Sequence, residues 1–174
     1  MASSYPGVLT ASRTLLRALI VLNLLLGASI LALLVASLAA EGPVMAALGV
    51  RQHEGSGALI LGMRLIMVFG IVSVPLVHLV LTRLLAVVDT VRSGTAFVAA
   101  NGARLQTIAW ALLALEMLHL AVGGVAAGAS SSAQALDMDW SLSVAGWLAV
   151  LLLFVLARVF DEGARMRDDL EGTV

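Results

Sequence analysis

Glu116 and His119 are the residues whose types and spacing come closest to a reaction centre in this chain. Three positions apart in an apolar run, they share one helix face, and a carboxyl beside an imidazole serves proton transfer or metal ligation. Burying a charge at mid-membrane depth costs roughly 2.5 to 3.5 kcal/mol. Glu116, about 16 Å along the helix from Leu105, is therefore expected to be neutral or paired. Arg64, about 9 Å in from the opposite end of its own apolar run, has two readings. Its side chain completes a polar cluster with Glu116 and His119, or it snorkels outward to headgroups, which is the more ordinary behaviour.

Metal and haem chemistry fail on spacing. A Glu-x-x-His pair supplies two of the six ligands of a di-iron carboxylate site, which takes two such pairs and two further glutamates, and the sequence holds one copy. His78 lies roughly 5 Å from the end of its helix and His119 roughly 20 Å from that same side, so they cannot share a haem. His53 falls in a loop. The absence of cysteine removes thiolate ligands and nucleophiles. No phosphate loop, catalytic triad or zinc pattern occurs, and the arginines are too few and too spread for a nucleic-acid face. The expectation is a non-enzymatic protein with no catalytic residue, cofactor or metal.

The elements that must position these residues are apolar. Hydrophobic residues make up 61% of the 174 positions and charged residues 12%, and the mean hydropathy is +1.06. Soluble domains are roughly half apolar and a quarter charged. Four runs reach the ~20 residues that cross a bilayer: 18–40, 58–81, 105–127 and 142–160. The first exceeds the roughly 7 to 15 apolar residues of a signal peptide. A short surface helix is expected across Val44 to Val50, a kink at Pro75, and an amphipathic continuation over Leu84 to Val91 that Gly94 ends. The predicted fold is all-α, a four-helix transmembrane bundle forming one membrane domain, with a connector at 82–104 and a tail at 161–174.

Bilayers favour arginine and lysine on the cytosolic side. Arg13, Arg17, Arg83, Arg92, Arg104, Arg158, Arg165 and Arg167 fall on one side of a four-span topology, and Arg51 and Arg64 on the other. Both termini and the connector are thus predicted to be cytosolic, with Trp140 and Trp147 at the outer interface and Trp110 near the inner one. The connector from Arg83 to Arg104 sums to +2 and the tail from Arg158 to Val174 to −2. Two readings follow: connector and tail dock by charge, or the tail is a solvated helix end neutralised by its own i,i+4 pairs.

The connector SGTAFVAANGARLQTIAW and the tail RVFDEGARMRDDLEGTV together resemble small bacterial four-helix membrane proteins of domain-of-unknown-function family 2975. Gly94, Phe97, Asn101, Leu105 and Trp110 carry the resemblance in the connector, and Glu162, Gly163, Asp168, Asp169, Thr173 and Val174 in the tail. The chain departs at Val98 and Ala99, where members often open the helix with threonine and proline, and at Gln106 and Thr107, where arginines are common. The resemblance implies a bacterial inner-membrane protein encoded beside a small helix-turn-helix DNA-binding regulator. A regulator is therefore expected, binding that partner through Arg92, Gly94, Phe97, Asn101, Arg104, Glu162, Gly163 and Arg165, with no nucleic-acid contact of its own. Such a protein is compatible with homo-oligomers. The alternative is a small transporter or exporter component using Arg64, Glu116 and His119.

Overall fold

In lipid, an apolar run of this length satisfies its backbone by forming an α-helix. The computed structural model describes residues 5–49, 57–94, 98–130 and 143–171. Five helices follow one another: α1 (Tyr5–Ala39), α2 (Glu41–Ala47), α3 (Gly57–Arg92), α4 (Ala99–Ala129) and α5 (Val144–Glu171), with no strand among the described residues. Four are long and apolar enough to cross a membrane, over Thr10–Ala39, Gly57–Arg92, Ala99–Ala129 and Val144–Arg167. Leucines and valines along α1 and α5 are exposed in rows, as side chains facing lipid tails must be. The chain is a multi-pass membrane protein of all-α class.

The helices outrun the apolar spans. At 36 residues, α3 is about 54 Å long against a hydrocarbon core of about 30 Å. Leu84 to Val91 is helical, as expected, and forms the last turns of α3 with no break at Arg83. Pro75 lies within that helix and does not interrupt it. α3 stops at Ser93 and Gly94, where Gly94 takes φ +80 and its N–H donates to the Val91 carbonyl at 3.1 Å. Glycine pays no Cβ penalty at this left-handed helix end. Of the surface helix expected over Val44 to Val50, Val50 lies outside the described residues; α2 starts three residues earlier, at Glu41, which can open its first turn.

The chain divides into two compact units, the first of Met1–Asn23, Leu76–Ala114 and Ser143–Val174, the second of Leu24–Pro75 and Leu115–Leu142. In the first, Leu105, Ile108 and Ala157 are buried together, with Val80, Leu112, Leu153 and Phe160 packed around them. Trp110 meets Phe154 edge to face, ring centroids 5.2 Å apart. In the second, Met45 of α2 is buried against Leu59 and Ile60 of α3.

Small residues set helix spacing in the second unit. A Cβ added to Gly27 would stand 2.8 Å from Val74 Cγ2, and one added to Gly62 would collide with the Ala129 methyl. The Ala129 methyl cannot swing aside, so α3 and α4 lie as close there as their backbones allow. Gly62→Leu is expected to destabilise the protein by about 1–3 kcal/mol through overpacking. Gly124→Leu, where a new Cβ meets nothing within 4 Å, is expected to stay near wild type. Reversible unfolding in detergent measures both, and equal losses would refute this account of the contact.

Candidate interaction site

Asn101 is the most deeply placed polar residue of the connector, with 0% of its surface exposed. A buried primary amide has four hydrogen-bonding positions to fill. The α3–α4 turn supplies partners by folding α4 back along α3. Asn101 Nδ2 donates to Thr90 Oγ1 at 2.8 Å, and Arg104 Nη1 donates to Asn101 Oδ1 at 2.8 Å. Because a guanidinium only donates, it fixes which way the amide points. The Thr90 hydroxyl is then free to donate to the Val87 carbonyl at 2.7 Å. Arg104 reaches further, to the Ala86 carbonyl at 3.3 Å.

Two more contacts hold the neighbouring helices to this clasp. Arg13 of α1 pairs with Asp89 of α3 at 3.3 Å, both partly exposed, so this pair contributes only modestly. Gly102 lets α5 approach: a Cβ there would run into the Asp161 carboxylate and stand 3.3 Å from the Ala157 carbonyl. The approach needs glycine mainly because of the backbone oxygen, since a carboxylate can rotate away. The start of α4 therefore packs on α5, through Gly102, Leu105, Ala157 and Phe160. The connector's carboxylate, Asp89, is paired with Arg13 of α1 and not with the tail. The tail's own pair, Glu162 with Arg165 at 3.9 Å, spans three residues of one helix and is solvent-exposed. The side chains of Asp168 and Asp169 lie outside the described residues.

The expected interaction surface thus separates into parts. Arg92, Gly94, Glu162 and Arg165 are exposed, Gly163 is half-buried, and Phe97 lies outside the described residues. Asn101 and Arg104 were expected on the surface but point inward, because their polar groups meet α3. They position the surface and do not form it. Thr90, Asp89, Arg13 and Gly102 belong to the site without having been singled out by sequence. The signal for Thr90 was its place opposite Asn101 across the Gly94 turn.

The intramembrane cluster is not assembled. Arg64 turns toward the end of its own helix, where Nη2 donates to the Ser37 carbonyl at 2.7 Å and to Glu41 Oε2 at 2.6 Å. Carbonyls in the last turn of α1 lack helical partners and carry the negative end of its dipole. They offer a guanidinium more than a carboxyl a long way down another helix. No hydrogen bond or ion pair joins Arg64, Glu116 and His119 among the described residues. Glu116 is half-buried and His119 exposed, although both continue the α4 stripe on which Asn101, Leu105, Ile108 and Ala126 are buried. Buried His78 Nδ1 and Trp147 Nε1 have no hydrogen-bond partner among the described residues. Trp140 and His53 lie outside those residues. An apolar groove of about 270 Å³ beside Leu61, Leu65, Val125 and Gly128 has no polar group to act with. Among the described residues no group of three or more His, Cys, Asp or Glu is placed to hold a metal.

Replacing Asn101 by alanine removes the amide that joins the half-buried Thr90 and Arg104 side chains and leaves them with their carbonyl partners, a loss of about 1–3 kcal/mol. The expected result is a matching fall in unfolding free energy in detergent. A variant as stable as wild type would show that Asn101 holds nothing.

No curated protein and no solved structure matches the chain. Residues 33–174, which include both the connector and the tail, match the family described as "Protein of unknown function (DUF2975)". The chain belongs to that family.

Proposed function

We propose that the protein is a non-enzymatic regulator of the bacterial inner membrane that docks a small helix-turn-helix regulator on the connector end of its first unit. The observation that carries this reading is the outer face of α5. The helix runs on to Glu171, 11 residues past Phe160 and so about 16 Å beyond the apolar span. Its inner face, through Ala157 and Ala164, is buried. Its outer face presents Arg158, Glu162, Arg165 and Met166, all exposed. An ordered helix whose exposed face mixes both charges with a large apolar side chain suits a protein partner better than bulk water.

Orientation rests on arginine. All eight arginines expected on the cytosolic side belong to the first unit, and Arg51 and Arg64 to the second. The positive-inside rule therefore supports a cytosolic connector and cytosolic termini, where a DNA-binding partner is available. Exchanging the charges at Glu162 and Arg165 (E162R/R165E) is expected to abolish recovery of a helix-turn-helix partner with tagged protein from mild detergent, and to leave unfolding unchanged. Wild-type protein that brings down no such partner would sink the proposal.

A second reading, a small transporter component, draws on Glu116 and His119 alone. An ionisable pair inside an apolar membrane helix, with Glu116 half-buried and His119 exposed, suits a polar path through the bundle. Under this reading Glu116→Gln removes proton-coupled flux in liposomes, and flux equal to wild type would exclude it.

A further inference from the structure

Three arginines take no part in the contacts described above. Arg17 of α1, Arg83 of α3 and Arg158 of α5 are exposed, and among the described residues none makes a hydrogen bond or ion pair. All three belong to the first unit, where helix register brings them to one level. Arg13 faces Asp89 across α1 and α3, so four residues along each antiparallel helix Arg17 faces Leu85, two positions from Arg83. Arg104 reaches the Ala86 carbonyl, which sets α4 against α3. Trp110 against Phe154 and Gly102 against Ala157 set α5 against α4, so Arg158 lies beside Arg104 and about three residues from the level of Arg83. The three therefore stand within about one helical turn, roughly 5 Å, of a common level.

The surroundings of this belt fit one kind of ligand. Leu19, Leu84, Val155 and Val159 flank the arginines and are exposed apolar side chains. Two of the nearby carboxylates have arginine partners outside the belt, Asp89 with Arg13 and Glu162 with Arg165, and the Asp161 carboxylate lies against Gly102 of α4. A guanidinium is a forked donor matched to phosphate oxygens. With apolar neighbours on the same surface, the phosphate must carry acyl chains. We infer that Arg17, Arg83 and Arg158 form a belt that binds the headgroups of anionic phospholipids and fixes the depth of the protein in the bilayer. This inference needs neither the regulator nor the transporter reading, and it holds for either orientation.

A basic side chain near an anionic membrane surface contributes roughly a fivefold gain in affinity. Native mass spectrometry of the full chain with defined lipids reads this directly. Wild type is expected to retain phosphatidylglycerol well above phosphatidylcholine. Arg17→Gln should lose roughly fivefold of that preference, and R17Q/R83Q/R158Q roughly a hundredfold. R92Q/R165Q, which removes as much charge as two belt substitutions but away from the belt, should keep it. If the triple variant does not fold, the single substitutions at Arg17, Arg83 and Arg158 carry the test. The inference is overturned if wild type shows no preference, if folded belt variants keep it, or if R92Q/R165Q loses it equally. It is also overturned if inorganic phosphate raises the melting temperature of lipid-stripped protein as much as phosphatidylglycerol does, since the site would then be one for free phosphate.

Discussion

A polar group buried between packed helices has to find its partner within the protein, because the apolar side chains around it offer none. This constraint organises the connector. Asn101 is one amide placed where α4 begins, and filling its hydrogen bonds requires Thr90 and Arg104 at one height. Once those bonds form, the end of α3 and the start of α4 have a single register. The Gly94 turn has only to reverse the chain, and the amide sets the alignment. Leu105 and Ile108 then fall one and two turns further along the same face, against Val80 and Leu153. The apolar contacts contribute most of the area, and the polar clasp selects which contacts form.

The same constraint acts in the second unit with a different outcome. Arg64 is a guanidinium on a helix too apolar to solvate it, and the nearest unsatisfied acceptors are at the end of α1 and the start of α2. Binding Ser37 and Glu41 together ties three helices at one point. Met45 fills the space beneath α2. The short helix is thus held from above by charge and from below by packing. Glu116 and His119 have no such arrangement. They remain on the buried stripe of α4 without a protein partner among the described residues.

Much of the fold was legible in the sequence because hydrophobic length is a property of a single segment. The four apolar runs predicted the four long helices, and the turn glycine at position 94 was readable from its neighbours alone. What could not be read was register. Thr90 looks like any threonine in an amphipathic helix until Asn101 is set opposite it, and Gly102 looks like a weak helix position until Ala157 lies against it. Arg64 turns outward, the more ordinary of its two readings, but its partners were hidden for a related reason. Counting residues gave its depth, but choosing its partner required knowing that α1 ends beside it. Glu41, one residue past the first apolar run, is its counter-charge.

Opposite net charges on connector and tail suggested that electrostatics would bring the two together. The charges instead pair locally or with a third helix: Glu162 with Arg165, Asp89 with Arg13, Arg104 with Asn101. Exposed ion pairs are worth at most about 1 kcal/mol and weaken with salt, whereas burying one leucine or phenylalanine side chain contributes roughly 1.5–3 kcal/mol. The contact between α4 and α5 accordingly follows apolar burial, through Leu105, Ile108, Ala157 and Phe160, with Gly102 permitting the approach. Charge then has a different part. Because Arg17, Arg83, Arg92, Arg158 and Arg165 are not needed to hold the helices, they stay exposed where lipid headgroups and protein partners can reach them, and packing decides where each one stands.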